Sequence, residues 1–355
     1  MGINVAVVGL NFGSLFAPVY RAHPDVDEVV VVDMDAELAA NVLAEGGATR
    51  SASRLEDVLV DDTVDAVHIL TPPHLHAPMS IEVLRAGKHV ASAIPAATEM
   101  GHLHELVALQ GSTGRNYMMM ETALYYPPAI HVRHLLAEGA FGELAFGRGA
   151  HYQDMTNWSA YWDGYPPHLN ITHAIGPLLM LLDTRATTVR CLGSGRVLET
   201  DNRWENPYPV ETAIFELERG DVAIDVTRSM SRMRRQSVEA FSLYGDRLGF
   251  EWGQTRDEDP VFFEPTVVDD RFHDATAERR PIPDYSHLLI EPLRAFDAYG
   301  GAVAHLVQEF VGSIVEGRLP WMDAVRGAEM TGAGIAAHSS AMSGGSVVPV
   351  PDFRA

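Results

Sequence analysis

Between Val64 and Thr98 the chain reads VDAVHILTPPHLHAPMSIEVLRAGKHVASAIPAAT, two short strands around a helix with very brief breaks. Asp65 to Leu70 is an apolar strand, stopped by Thr71-Pro72-Pro73 because proline has no N–H to give a sheet ladder. Pro78 suits the first turn of a helix that Met79 to Ala86 continue, and Gly87 is placed to end it. Lys88 to Ser92 is the second strand, running out into Ala93-Ile94-Pro95. Such spacing predicts a βαβ unit of a parallel sheet, and open sheets of this kind take ligands at the carboxyl ends of their strands.

The residues upstream extend the same sheet. Ile3 to Val8 is continuously apolar, as a parallel strand buried on both faces should be. It runs into Gly9-Leu10-Asn11-Phe12-Gly13-Ser14 and a helix towards Ala22, a variant of the dinucleotide fingerprint G-x-G-x-x-G. Gly9 permits the tight turn, Gly13 is expected to leave backbone room near a pyrophosphate, and Asn11 stands for the second glycine. The next strand, Val29 to Val32, ends at Asp33, where a carboxylate can accept from both ribose hydroxyls of NAD and repels the 2′-phosphate of NADP. Met34 follows, with no arginine beside it to welcome that phosphate. Tyr117 to Glu121 is the strand expected to close this first domain, with Met118 to Met120 as core.

The βαβ stretch also resembles the Gfo/Idh/MocA family of nicotinamide-dependent oxidoreductases. That family carries Thr-Pro-x-x-x-His, matched by Thr71, Pro72 and His76, and Ala-Gly-Lys-His-Val, matched in full by Ala86 to Val90. Its Glu-Lys-Pro is replaced here by Ala93, Ile94 and Pro95, so the usual catalytic lysine is missing. The resemblance implies an N-terminal Rossmann domain over residues 1–123, contacting NAD through the Gly9–Ser14 turn, Asp33, Met34, Thr71, Pro72, Pro73, His76, Ala93, Ile94 and Glu121. It implies a C-terminal α/β domain over 124–355 for substrate and self-association, its last helix packing back near the cofactor domain.

The residues of that second half support an open, mostly antiparallel sheet. Pro127-Pro128 opens a helix through Ala137, and Gly139 to Glu143 turns it into a strand, like the family's crossover. Leu144 to Met155, Thr187 to Leu198, Thr212 to Glu218, Val222 to Ser229 and Ser237 to Tyr244 alternate apolar and polar residues with the period of a half-buried strand. A helix over Asn170 to Leu182 is apolar nearly all round and should be deeply buried. Residues 257–284, rich in Pro, Asp and Glu, read as a long irregular excursion. Arg228, Arg232, Arg234 and Arg235 read as a solvated loop or subunit contact, with an acidic-substrate site as the lesser alternative.

For chemistry, the segment Tyr165-Pro166-Pro167-His168-Leu169-Asn170-Ile171-Thr172-His173-Ala174-Ile175-Gly176-Pro177 stands out. Family dehydrogenases have Asp-x-Gly-x-His-x-x-Asp here; His173 keeps the histidine, while Leu169 and Gly176 replace the acids. The segment is similar to a branch with Pro-Pro-x-x-Tyr-Pro-Thr-His-x-x-Gly-Pro, which includes NAD-dependent glycosidases. Pro166, Pro167, Thr172, His173, Gly176 and Pro177 match it, and Asn170 stands where the branch has Tyr. Removing hydride from an alcohol needs a base near neutral pKa, the range in which histidine titrates. His173 is therefore the expected base, with Tyr152, His151 and His168 as substitutes and Asn170 at the second acid/base position. His151, Gln153, Asp154, His168 and His173 lack the spacing of a helical metal pair, so no metal is expected.

Bulk properties narrow the partners. A formal charge of −22 argues against nucleic acid and anionic membranes, and no apolar run is long enough to span a bilayer. The lone Cys191 excludes an internal disulfide and fits a cytoplasmic protein. The expectation is an NAD-dependent oxidoreductase acting on a sugar, glycoside or cyclitol hydroxyl, as a homodimer or homotetramer by family analogy. The alternatives are a glycosidase that recycles NAD within each turnover, and a catalytically silent NAD-binding sensor.

Overall fold

The computed structural model describes residues 2–197, 202, 204–231, 235, 237–255, 258–269 and 272–354. The chain divides into two compact units: Met1–Tyr126 with Tyr285–Ala328 and Phe353–Ala355, and Pro127–Asp284 with Glu329–Asp352. The change of unit thus comes at 126/127 rather than 123/124, and residues 285–328 cluster with the first unit.

The first unit begins with β1 (Ile3–Val8), α1 (Leu10–Gly13), α2 (Ala17–Ala22), β2 (Val26–Val32), α3 (Ala36–Ala44), β3 (Arg50–Ala52), α4 (Leu55–Leu59) and β4 (Ala66–Ile69). It continues through α5 (Pro73–Arg85), β5 (His89–Ser92), α6 (Met100–Thr113) and β6 (Tyr117–Met119). The strands form one sheet in the order β3-β2-β1-β4-β5-β6, and every pairing in it is parallel. Val5 to Val8 and Val29 to Val32 are at most 5% exposed, which explains their unbroken apolar runs: both sheet faces are covered. The order in which strands are added reverses between β1 and β4, so their carboxyl ends make the crevice in which such sheets bind ligands.

Two local expectations need correction or refinement. Helix α5 starts at Pro73, not Pro78: Pro72 is its N-cap, Pro73 fills the first turn where a missing N–H costs nothing, and Pro78 lies inside. The Ala86–Val90 motif is structural. Lys88 Nζ donates to the carbonyls of Asp61 and Val64 at 2.7 Å each, and His89 Nδ1 accepts from the Asn116 amide at 3.0 Å.

The second unit holds α7 (Pro127–Ala137), β7 (Leu144–Tyr152), α8 (Thr172–Leu181), β8 (Ala186–Ser194), β9 (Val210–Leu217), β10 (Ala223–Ser229), β11 (Val238–Gly245), β12 (Gly249–Glu251), β13 (Val261–Asp269) and β14 (Phe272–Arg279). The chain then forms α9 (Ala302–Val315) in the first unit, α10 (Ala324–Met342) and β15 (Val348–Pro349). The second sheet runs β14-β13-β12-β11-β7-β10-β9-β8-β15, antiparallel except where β7 meets β10. Helix α8 covers one face, so close to β7 that a Cβ on Gly149 would strike the Ala174 carbonyl. Its buried residues include Ala174, Ile175, Leu178 and Leu179, as expected of a helix without a polar face.

The described residues of 257–284 are not an irregular excursion: β13 and β14 pair antiparallel, Phe262 with Glu278 and Phe263 with Ala277. Acidic and proline content masked a short alternation; Phe262 is 2% exposed, and its ring packs edge-on to Phe250 at 5.4 Å.

Candidate active site

In the first unit the crevice is shaped by backbone. Gly9 has φ 91°, and a Cβ there would sit 2.7 Å from the Leu70 carbonyl oxygen, so only glycine fits the turn from β1 into α1 where it passes the end of β4. Gly13 has a different task from the one expected. It is buried, and an added Cβ would lie 2.9 Å from Val7 Cγ1, so it lets α1 press on β1 rather than opening room for a pyrophosphate. Asn11 and Ser14 are exposed on the turn, while Phe12 packs edge-on against Phe16 and Tyr299 at 5.4 and 5.8 Å.

Asp33 stands at the end of β2 with its carboxylate fixed. Oδ2 accepts from the Leu10 amide at 2.8 Å and Oδ1 from the Asp35 amide at 2.9 Å. Each oxygen keeps a lone pair for a further donor, and Met34 beside it is 92% exposed. Neutral hydroxyls suit this donor-hungry edge; a phosphate does not.

The other expected cofactor residues gather at the ends of β4, β5 and β6. Thr71, Pro72, Ala93 and Ile94 are half-buried there, and the Ile94–Pro95 peptide is cis. His76 turns inward instead: 1% exposed, its ring nitrogens lie 2.9 Å from the Pro95 carbonyl and 2.7 Å from that of Thr71. It clamps the loops after β4 and β5 together and has no edge left for a ligand. Burial lowers its pKa, against the two carbonyls that favour the cation. Glu121 is fully buried and caps the turn at Thr122–Leu124 through the Ala123 amide at 2.9 Å.

The second unit brings together residues that its sequence does not reveal as neighbours. Strand register aligns Glu239 on β11, His151 on β7, Arg228 on β10 and Glu211 on β9 in one row across the sheet. In β7 the inward positions are Gly147, Gly149 and His151, and in β10 they are Ile224, Val226 and Arg228. This row therefore shares the face on which α8 lies. Tyr152, one residue on, falls on the opposite face and does not join it.

Arg228 is fully buried, contrary to a solvated arginine cluster; Arg232 and Arg234 lie outside the described residues, and Arg235 reaches Gln254 at 3.4 Å. Arg228 donates through Nη1 to the Ser229 carbonyl at 2.7 Å and the His151 carbonyl at 3.4 Å. Nη2 donates at 3.1 Å to both Gln153 Oε1 and Asn170 Oδ1. Burial pulls its pKa down to about 9, opposed by Glu239, so the guanidinium stays charged at neutral pH. Asn170 is thus committed to Arg228 and serves to position it, not as a second acid or base.

Glu211, also fully buried, accepts from His338 Nδ1 at 2.7 Å and from the His168 amide at 2.9 Å. Burial alone would raise its pKa, but the His338 hydrogen bond, the charges of His168 and His338 and the His168 amide together outweigh that, and the carboxyl is held below its usual range. His168 lies with Nδ1 3.4 Å from the same carboxylate, yet burial brings its pKa to about 4 and it stays neutral at pH 7. His151 faces Glu239 at 3.4 Å and is held well below 6.5 by burial and by Arg228 and His173. His173, half-buried on the first turn of α8, sets its ring 5.1 Å from that of His151.

The row can therefore hold fixed charge in a dry setting beside a histidine that solvent reaches. Among the described residues no group of His, Cys, Asp and Glu is placed to hold a metal, and no helix is long and apolar enough to cross a membrane. Sequence reasoning missed Glu211, Glu239 and His338; the period-2 placement of Arg228 with Ile224 and Val226 was the one signal available for that residue.

Comparison with known proteins agrees with this architecture. Residues 3–121 match the model of an oxidoreductase family with an NAD-binding Rossmann fold. A glycosyl hydrolase family 109 protein of Saccharopolyspora erythraea is 27% identical over 326 residues, 81% of this chain and 69% of that protein. One from Streptomyces niveus is 25% identical, covering 99% of this chain and 77% of its own. Among solved structures, levoglucosan dehydrogenase in complex with NADH superposes with TM-score 0.81 at 20% identity, over 99% of this chain and all of the other. The myo-inositol 2-dehydrogenase of Lactobacillus plantarum gives 0.77 at 16%, over 99% of this chain and all of the other, and these likenesses establish the fold.

Proposed function

Because residues 3–121 belong to the Gfo/Idh/MocA oxidoreductase family, we propose that this chain uses NAD to oxidise a secondary hydroxyl of a sugar, glycoside or cyclitol. The observation that carries the reading is the Gly9 turn, packed too closely on Leu70 at the end of β4 for any Cβ, with the Asp33 carboxylate fixed beside it by the Leu10 amide. In this reading NAD is held by the Gly9–Ser14 turn, Asp33, and Thr71, Pro72, Ala93 and Ile94 at the ends of β4 and β5, while Pro73 and Glu121, both buried, support those ends. When bound, NAD supplies the hydride acceptor.

The chain's own residues supply the proton chemistry. Ile94 cannot accept a proton where the family has lysine, so His173 takes the hydroxyl proton. His151 beside it is kept neutral, and Arg228 lends fixed positive charge to the row. General-base help of this kind is worth roughly 10² to 10⁴ in rate. The first unit serves the cofactor; the second serves the substrate and the self-association of a homodimer or homotetramer. The single, buried Cys191 accords with a cytoplasmic protein.

A second reading is favoured by the family 109 relatives: transient oxidation of a glycoside, elimination of its aglycone, addition of water and re-reduction. Incubation with NAD and a panel of glycosides and free sugars separates the two. Steady NADH accumulation supports the dehydrogenase, and aglycone release without net NADH supports the glycosidase. Binding of NAD with neither signal points to a silent sensor and overturns both.

A further inference from the structure

Within the first unit, the Gly9–Ser14 turn is met by a segment from far along the chain. The ring of Phe12 on that turn packs edge-on against Phe16, 1% exposed, and against Tyr299, with centroids 5.4 and 5.8 Å apart. Tyr299 lies outside residues 3–121, which match the family's NAD-binding fold, and the cofactor contacts proposed above do not include it.

The segment that carries Tyr299 is built to present it. Upstream, the short helix Glu291–Ala295 is anchored by Leu293, fully buried, and by Arg294, whose Nε donates to the Leu289 carbonyl at 2.9 Å. Downstream, α9 begins with Ala302, Val303 and Ala304, all fully buried. Between these fixed ends the turn is closed by its own backbone. The Gly301 amide donates to the carbonyls of Asp297 and Ala298, and the Ala302 amide to that of Tyr299, each at 3.2 Å. Tyr299, Gly300 and Gly301 have φ 54°, 63° and 87°, three successive residues in the left-handed region. A Cβ added to Gly301 would meet nothing within 4 Å, so glycine is there for its backbone angle alone.

Tyr299 breaks that pattern. A bulky side chain rarely takes a positive φ, and glycine would take it without strain. Burial does not offset the strain, because Tyr299 is 45% exposed. An aromatic ring is thus held in a strained turn against the one aromatic side chain of the Gly9–Ser14 turn, and strain kept in this way is typical of ligand clamps. We propose that Tyr299 is a cofactor-binding residue, whose ring covers the outer side of the Gly9–Ser14 turn and shields the diphosphate of NAD from water. The inference rests on the NAD-binding reading and adds to it a residue that the Rossmann strands do not carry. Such a cover acts once the cofactor is seated, so it slows release more than capture.

The test is stopped-flow fluorescence of NADH release, chased with excess NAD, together with competition by ADP, which keeps the diphosphate and lacks the nicotinamide. Tyr299→Ala should speed NADH release and weaken ADP by similar factors of about five- to ten-fold, the order of one aromatic contact. Tyr299→Phe, which keeps the ring, should stay within about two-fold of wild type. Tyr299→Gly separates a binding role from a structural one and serves where Tyr299→Ala does not fold. Relief of the left-handed strain offsets the lost ring contact, so the thermal midpoint of the cofactor-free protein should stay nearly unchanged while NADH release speeds as in Tyr299→Ala. An unchanged release rate in Tyr299→Gly, or a Tyr299→Phe variant as impaired as Tyr299→Ala, overturns the cover. Faster NADH release with ADP affinity intact places the ring at the nicotinamide and overturns the diphosphate assignment. In each of these cases wild-type binding of NADH leaves the cofactor reading standing; a wild-type protein that binds no NADH removes both.

Discussion

Replacing Glu211 tests whether the charged row is held together as the geometry implies. The carboxylate is fully buried and accepts from the His338 ring at 2.7 Å and the His168 amide at 2.9 Å. Glu211→Ala strands the buried His168 N–H, which costs about 1–3 kcal/mol, and removes the charged acceptor of the His338 ring, worth about 1.5–3 kcal/mol. The two overlap because they share a side chain, so the expected loss is about 2–4 kcal/mol rather than their sum. Glu211→Gln keeps an oxygen for the His168 amide and fills the same space, and should cost only about 1–2 kcal/mol. The sign with pH follows from the lowered carboxyl pKa. Glu211 contributes fully above the ordinary glutamate value of 4.5 and loses that contribution as pH falls through its lower folded value. The gap between wild type and Glu211→Ala should therefore narrow in acid. Urea unfolding at pH 7 and pH 4, with unchanged m-values, measures it. An alanine variant within about 1 kcal/mol of wild type, or a glutamine variant as damaged as alanine, would refute the reasoning.

Other outcomes follow from the same geometry. Asp33→Ala should weaken NAD by about ten-fold or more, as the loss of a charge-assisted hydrogen bond implies, and NADP far less; equal losses in titrations of both cofactors would discredit the ribose assignment. His173→Ala should lower kcat by roughly 10² or more while leaving the dissociation constant of NAD nearly intact, and normal turnover would remove it as the base. Acid should destabilise both units, because His68 and His168 are buried with pKa values of about 3 and about 4 against 6.5 unfolded. Each favours the folded state fully above pH 6.5 and by about 2 kcal/mol less at pH 5, so thermal midpoints that do not fall between pH 7 and pH 5 would contradict their burial as neutral rings.

The first unit was legible because its signals are local. Val5 to Val8 and Val29 to Val32 are continuous runs, Gly9 marks a turn that no other residue can make, and Asp33 follows its strand directly. Pro78 misled because helix statistics place proline in the first turn, where Pro73 already stood. The row in the second unit was hidden for a different reason. Arg228 and the His151 carbonyl it reaches are separated by 77 positions, and only strand register makes them neighbours. Arg228 also sits four residues from Arg232 in a stretch that reads as solvent-exposed by composition. Tyr152 and His151 are adjacent in sequence, yet the pleat sends them to opposite faces, a distinction that needs the covering helix to be known.

That row holds a fully buried arginine. A buried guanidinium is expensive, as its lowered pKa records, and a stable fold alone would be served as well by an apolar side chain there. Arg228 is nevertheless anchored by Gln153, Asn170 and two carbonyls, and Asn170 immediately precedes the turn into α8 that carries His173. With burial, its charge keeps His151 from holding a proton, while the Glu211 carboxylate fixes the other side of the same turn through the His168 amide. Of the imidazoles along this row, His168 and His151 are both kept neutral, while His338, bound to Glu211, and His173, at the head of α8, are half-exposed. Arg228 thus places a positive charge on the sheet of the second unit and is tied through Asn170 to the segment that leads into the helix carrying His173.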